Sequence, residues 1–245
     1  MNILTLIKRI TTSGKEYPEQ LMSTDTCKLY TCINPYSYHI VRKNPQLYSN
    51  FDSIFVDGIS MCWWIRILWG RKIPRLSFDM SGIAIDLFKK LNCKNNNESI
   101  YFIGSNKQNI DATIKNINDE YPKINIQGYR NGYFKNETDR KTSLTNIIAL
   151  NPNFVIVGMG SPLQEKFAVD LKALGYQGSV FTCGGFLHQT SSKIKYYPDW
   201  IDKLNLRAFY RLYKEKGLFK RLYNVLIEFP ILFLYDTITT KISFR

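Results

Sequence analysis

The segment 154–165 combines residue types that suit anion binding at the start of a helix. Its first four residues are apolar and predict a buried parallel strand, and Gly158 and Gly160 then permit a sharp turn. Ser161 and Gln164 fit a capping box at the start of the next helix. The N–H groups of such a helix start suit a phosphate or carboxylate. Because ordinary strand-to-helix turns share this pattern, the segment alone leaves both interpretations open.

Asp57 is the candidate for proton transfer, since it follows a short apolar strand and precedes Gly58. A carboxylate at the end of a buried strand projects toward the ligand crevice, and partial desolvation raises its pKa toward that of a general base. The alternative is a turn aspartate that caps the following helix.

Two further side chains suit an anionic ligand. Arg75 is either an anion contact or a surface arginine that pairs with Asp79. His188 lies just past Gly184 and Gly185, where a single histidine is either part of the site or a structural hydrogen-bond donor. Both positions therefore stay candidates.

The elements that must position these residues alternate along the chain. Strand-like segments occupy residues 28–33, 53–56, 99–103, 124–128, 154–157 and 179–182, with helix-like segments between them. This alternation predicts an α/β fold, a Rossmann-like and mostly parallel sheet with helices on both faces. Ligands of such sheets bind at the carboxyl ends of the strands, which is where the candidate residues lie.

From about Ile201 the chain becomes basic, and residues 203–245 hold nine basic and three acidic residues. A helix here would carry apolar side chains on one side and Arg207, Arg211 and Arg221 on the other, which favours an anionic membrane surface. The alternative is a charged face on a helix docked to the core. We expect an α/β catalytic domain at 1–200 and a basic amphipathic, membrane-associating appendage at 201–245.

Composition limits the class of protein. A formal net charge of +13 and a pI of about 9.4 favour anionic partners. The five cysteines form no close pair, which predicts reduced thiols in the cytoplasm. No secretory signal is evident, and the apolar stretch 225–235 is short and interrupted by Glu228 and Pro230, so no membrane-spanning helix is expected.

Several common catalytic motifs are absent from the sequence, among them the dinucleotide-binding glycine fingerprint, the P-loop, the serine elbow and the zinc-protease motif. There is also no D-x-D pair of the kind that holds a divalent cation against a diphosphate. The charge of a departing phosphate group would therefore have to be neutralised by arginine, lysine and backbone N–H groups.

With these positions laid out, the chain resembles the WecG/TagA/CpsF family of glycosyltransferases, glycosyltransferase family 26. The resemblance runs from about Cys32 to Tyr223 and rests on several motifs in order. They are Cys32-Ile-Asn34, Asp57-Gly58, Arg75 with Asp79, Tyr121-Pro122, 128–134, 158–165, Cys183-Gly-Gly185, 197–200 and 206–212.

The resemblance implies an inverting, metal-independent enzyme that transfers a sugar from a UDP-sugar to a sugar on a polyprenyl diphosphate during surface-polysaccharide synthesis. The transferred sugar would be of the N-acetylmannosamine type or a related hexose, and the enzyme would be peripheral on the inner face of the cell membrane. Asp57 would be the general base. The expected substrate-binding residues are Cys32, Asn34, Arg75, Gly158, Gly160, Ser161, Gln164, Gly184, Gly185, His188, Arg211 and Arg221, and no metal or other cofactor is expected.

Departures from the family pattern concern the pocket. Cys32 stands where the family usually has threonine, unless a slip of one residue assigns Thr31, and His188 stands where an aspartate is common. Two other classes remain as alternatives: a nicotinamide-dependent oxidoreductase and a basic nucleic-acid-binding protein. The missing glycine fingerprint opposes the first, and the apolar residues beside the basic ones oppose the second. A homo-oligomer is compatible with the sequence.

Overall fold

The computed structural model describes Leu6, residues 26–198 and 222–243, and between these Trp200, Ile201, Leu204, Leu206, Arg207 and Tyr210. The strands are β1 (Lys28–Ile33), β2 (Ser53–Val56), β3 (Ser99–Gly104), β4 (Asn125–Arg130), β5 (Phe154–Gly158) and β6 (Ser179–Thr182). Their bounds differ from the predicted ones by at most two residues, so all six strand predictions are confirmed.

Nine α-helices connect and follow these strands in the described part of the chain. They are α1 (Tyr38–Lys43), α2 (Pro45–Tyr48), α3 (Ile59–Trp69), α4 (Ile83–Leu91), α5 (Lys107–Glu120), α6 (Glu137–Leu150), α7 (Leu163–Ala173), α8 (Phe186–Ser192) and α9 (Phe229–Ser243). A π-helical turn, Asn224–Glu228, leads directly into α9.

The six strands form one sheet in the order β2-β1-β6-β5-β3-β4, and every neighbouring pair is parallel. All carboxyl ends therefore lie at one edge of the sheet, which we call the catalytic edge. The predicted parallel α/β sheet with helices on both faces is confirmed.

Each face of the sheet carries its own hydrophobic core, because successive side chains of a strand point to opposite faces. Ile33 and Val157 contribute to the core that also holds residues of α1, α3, α6, α7 and α9. Phe102 and Phe181 contribute to the other core, which also holds residues of α4, α5 and α8. The helices of the two faces thus sandwich a sheet that is buried along most of its length.

The helix α9 packs on the first of these faces. Phe229 and Phe233 are fully buried and contact the ring of Tyr38 edge-on, at 5.4 Å between ring centroids in both cases. Asp236 accepts hydrogen bonds from Arg42 and from Tyr38. Pro230 lies in the first turn of α9, directly after the π-helical turn, so the chain stays helical through this position.

In the described residues, none of the helices has the length and hydropathy that crossing a bilayer requires. Most of the basic helix predicted before α9 lies outside the described residues, and so do Arg211 and Arg221. The division of the chain near Ile201 into two domains stays a prediction.

Candidate active site

Asn34 and Asp57 follow directly on β1 and β2, two neighbouring strands. The Asp57 N–H donates to the Ile33 carbonyl at 2.8 Å, which keeps the second turn attached to β1. Gly58 has a φ of +146°, and a Cβ there would lie 2.8 Å from Cδ of Pro35, so the two turns are in contact. Since Gly58 is the N-cap residue of α3, Asp57 does not occupy the cap position of the helix.

Arg75 lies beside Asp57. It forms an isolated parallel bridge with Val56, and the Leu76 N–H donates to the Val56 carbonyl at 2.8 Å. Burial raises the pKa of the Cys62 thiol to about 11, while Arg75 lowers it and Asp57 raises it. The carboxylate and the guanidinium therefore both lie within electrostatic reach of the Cys62 thiol.

Cys32 packs against the second of the two cores and lies within electrostatic reach of Asp57. Burial raises the pKa of this thiol well above its usual 9.0, and the negative charge of Asp57 raises it further. Thr31 points to the opposite face of the sheet, where its hydroxyl donates to Glu165 at 3.2 Å. Of the two residues, Cys32 is thus the one next to Asp57, and it is a neutral thiol.

The turns after β5 and β6 present open backbone at the same edge. Gly158 is enclosed, since a Cβ would lie 2.8 Å from Sγ of Cys183. Gly160 and Gly184 have φ values of +77° and +53°, and a Cβ at either would meet nothing within 4 Å. A ligand can therefore approach the backbone closely at both turns, whereas Gly185 serves as the N-cap residue of α8.

Ser161 and Gln164 do not form the predicted capping box. The helix α7 begins at Leu163, its N-cap residue is Pro162, and no side chain caps it. The Ser161 hydroxyl instead donates to Glu165 at 2.9 Å, and so does the amide of Gln164. The capping prediction is wrong because the helix begins two residues after Ser161, and the Gln164 oxygen that a capping box needs as an acceptor accepts from the Gly184 N–H instead.

His188 lies on α8 and faces α5. Its Nδ1 is 2.9 Å from the side-chain nitrogen of Asn109, and its backbone carbonyl accepts from Ser191. These contacts pack α8 against α5, which agrees with the structural role that the sequence left open for this histidine. A substrate contact of His188 stays a prediction.

Asp79 pairs with Arg207, with 2.6 Å between Oδ2 and Nη1. Arg207 is only 8% exposed, donates also to Ser77 and Ser81, and lies 4.8 Å above the ring of Tyr197. A residue of the C-terminal segment therefore holds the loop that follows Arg75.

The dimensions of the edge follow from the strand order. Asp57 on β2 and the Ser161 turn on β5 are three strand spacings apart, about 14 Å, and the Gly184 turn on β6 is two spacings, about 10 Å, from Asp57. All three lie at the catalytic edge.

Among the described residues, no group of three or more His, Cys, Asp or Glu could hold a metal ion.

Two residues at the site were not singled out from the sequence: Glu165, which is fully buried, and Arg207 as the partner of Asp79. The signal for Glu165 was its place in the motif 158–165, whereas its burial had no local signal because glutamate is rarely buried. The pair of Arg207 and Asp79 spans 128 positions and left no local pattern.

Comparison with known proteins gives a consistent result. The model of the glycosyl transferase WecG/TagA/CpsF family matches residues 6–243. The UDP-Gal:alpha-D-GlcNAc-diphosphoundecaprenol beta-1,4-galactosyltransferase of Shigella boydii is 34% identical over 200 residues, which are 82% of this chain and 81% of that protein. The N-acetylglucosaminyldiphosphoundecaprenol N-acetyl-beta-D-mannosaminyltransferase of Bacillus subtilis (strain 168) is 32% identical over 179 residues, 72% of this chain and 66% of that protein. The enzyme with the same name from Bacillus spizizenii is 27% identical over a segment of the same length.

Proposed function

The chain belongs to the WecG/TagA/CpsF family and is a glycosyltransferase, and from that premise we propose its reaction. It moves a sugar of the N-acetylmannosamine type, or a related hexose, from a UDP-sugar to a sugar on a polyprenyl diphosphate. The transfer inverts the anomeric centre and needs no metal ion. The single observation that carries this proposal is that Arg75 bridges Val56, the residue before Asp57, at the edge where two glycine turns leave their backbone open.

One carboxylate beside an open anion site suits direct displacement. The acceptor oxygen attacks the anomeric carbon while its proton passes to Asp57, and UDP departs from the opposite face of the sugar. The Gly184 turn, about 10 Å from Asp57, is placed for the diphosphate, and the Gly160 turn lies one strand further, toward the nucleoside. Arg75 and the backbone N–H groups supply the positive polarity that the leaving group needs.

The test is sugar transfer in EDTA from a panel of UDP-sugars to a polyprenyl-diphosphate-linked N-acetylglucosamine. Asp57→Asn is expected to lower turnover by about 10²- to 10⁴-fold and to leave the dissociation constant of UDP nearly unchanged. Asp111→Asn, the same substitution at an exposed aspartate on α5, is the control and should retain activity. Full turnover of Asp57→Asn would remove this residue from the mechanism, and activity that returns only with added Mg²⁺ would refute metal independence.

We further propose that the protein binds an anionic bilayer surface peripherally. The relatives act on diphosphoundecaprenol-linked sugars, according to their names, so a lipid-linked acceptor is expected for this chain as well. The sequence between Gly58 and Phe78 contains four basic residues and no acidic one, and Arg66 and Lys72 are exposed. Such a distribution is attracted to anionic lipid.

Two adjoining helices would make this contact. The indole N–H of Trp69 on α3 donates to Thr237 of α9 at 3.1 Å, and the Lys241 ammonium donates to the Leu68 carbonyl at 2.9 Å. Both helices carry exposed large apolar side chains on their outer faces, which are Trp63, Ile67, Ile231, Leu234, Tyr235, Ile238 and Ile242. We call this surface the α3–α9 face, and its apolar residues beside basic ones suit the interfacial layer of a bilayer.

A further inference from the structure

A buried polar cluster lies directly beneath the turn between β5 and α7. Its centre is Glu165, which has no exposed surface. The Oε1 atom of Glu165 accepts three hydrogen bonds: from Thr31 at 3.2 Å, from Ser161 at 2.9 Å and from the amide of Gln164 at 2.9 Å. The Thr182 hydroxyl in turn donates to that of Thr31 at 2.7 Å. The cluster therefore connects β1, β6 and the Ser161 turn.

The second oxygen of this carboxyl group accepts no hydrogen bond from any described residue, although it is buried. Burial raises the pKa of Glu165 above its usual 4.5, and the three donors on Oε1 act in the opposite direction. A buried carboxyl group with one unsatisfied oxygen lowers the stability of the fold. Stability alone therefore does not account for a glutamate at this position.

The hydrogen bonds of Glu165 fix the orientation of the neighbouring Gln164 amide. Because Oε1 takes the N–H₂ side of the Gln164 amide, the carbonyl side of that amide points to the next turn and accepts from the Gly184 N–H at 3.2 Å. Gln164 is only 3% exposed, so its amide bridges the two glycine turns inside the protein. If the amide turned over, its N–H₂ group would face the Gly184 N–H and the bridge would be lost.

We infer that Glu165 is a positioning residue: by orienting the Gln164 amide it sets the spacing of the Gly160 and Gly184 turns, which hold the UDP group of the donor. This inference rests on the proposed function. Neither Glu165 nor Gln164 contacts the donor in this account, since both are buried. Their effect reaches the ligand through the backbone of the two turns, which face open space.

The experiment measures UDP binding by calorimetry without any acceptor, together with the donor KM and the midpoint of urea unfolding. Glu165→Leu should weaken UDP binding and raise the donor KM by about tenfold or more, with the acceptor KM unchanged. Glu165→Gln keeps an acceptor oxygen for the same three donors and should stay within about threefold of wild type. Thr31→Val removes one of the three donors and should give a smaller change in the same direction, which keeps the test available if Glu165→Leu does not fold.

The control is Thr113→Val on the opposite face of the sheet. Thr113 is fully buried and its hydroxyl donates to the Leu187 carbonyl, so this variant also loses one buried hydrogen bond. It should lower the urea midpoint and leave UDP binding unchanged. A second readout is the double variant Gln164→Leu with Glu165→Leu, which should bind UDP no more weakly than Gln164→Leu alone, because the two residues act in series.

The possible results separate the two proposals. Wild-type protein that fails to bind UDP refutes the proposed donor and with it this inference. Wild-type protein that binds UDP, together with a folded Glu165→Leu or Thr31→Val variant that binds it equally well, refutes only the positioning role. Additive losses in the double variant would also overturn it, because they would mean that Glu165 acts independently of Gln164.

Discussion

The ion pair between Arg207 and Asp79 predicts a measurable link between the C-terminal segment and the catalytic edge. The side chains are 10% and 14% exposed, and the 2.6 Å contact is supported by Ser77, Ser81 and the ring of Tyr197. Removal of one partner from a buried ion pair costs about 3–5 kcal/mol because it leaves the other charge desolvated. Since some exposure remains here, we expect Arg207→Ala to lower the free energy of unfolding by about 3 kcal/mol.

The measurement is urea unfolding of Arg207→Ala, of Asp79→Ala and of the double variant. The double variant should lose clearly less than the sum of the single losses, with a coupling free energy of at least about 1.5 kcal/mol, because it leaves no unpaired charge. Lys107→Ala is the control, since its pair with Asp111 is 68% and 41% exposed and is worth at most about 0.5 kcal/mol. Losses that add within about 0.5 kcal/mol would show that the pair contributes no coupling, and the reasoning would fail.

Two other predictions concern the α3–α9 face and Glu165. Combined Trp63→Ser and Ile238→Ser substitutions should reduce co-sedimentation with anionic vesicles by about tenfold or more, since each removes an apolar side chain worth about 1.5–3 kcal/mol when buried. Leu174→Ser is the control, because Leu174 is an apolar residue after α7 that is 54% exposed, and this variant should bind the vesicles as well as wild type. Equal binding of the double variant and the control would place the membrane contact elsewhere. The pKa of Glu165 in the folded state lies above the usual 4.5, so between these two values the folded state binds the proton more than the unfolded state does. The free energy of unfolding therefore falls as the pH rises from about 4.5 to the higher pKa. Urea unfolding of Glu165→Gln across this range should lack that decline, and an unchanged decline would assign it to other groups.

Much of the fold was predictable because its signals are local. The segments 53–56 and 154–157 are short apolar runs that end at a glycine or at Asp-Gly, and such runs indicate buried parallel strands. The alternation of strands and helices then implies a parallel sheet, and a parallel sheet places all strand ends at one edge. For this reason the meeting of Asp57 with the glycine turns at one edge followed from sequence, although the strand order did not.

The capping box at Ser161 and Gln164 failed for a reason that no local pattern contains. The residue types fit the motif, but the motif needs the serine at the N-cap and the glutamine oxygen free to accept from the serine N–H, and here that oxygen accepts from Gly184. Folding brings Thr31 and Thr182 from two distant strands beneath the turn and buries Glu165 among them. The same holds for Asp79, whose partner Arg207 comes from a segment that follows the last strand. Contacts of this range are set by tertiary packing, which local propensity does not encode.

The strand β1 connects the two halves of the candidate site through the alternation of its side chains. Cys32 faces the side of Asp57, and Thr31 faces the side of Glu165. Since side chains alternate with a period of two, a shift of β1 by one residue would exchange these two positions and disrupt both halves together. The proposed proton acceptor Asp57 and the turns proposed for the leaving group are therefore held in one frame by the register of β1, although about 14 Å separates Asp57 from the Ser161 turn. A displacement reaction needs its base and its leaving group held in fixed positions on opposite sides of one carbon.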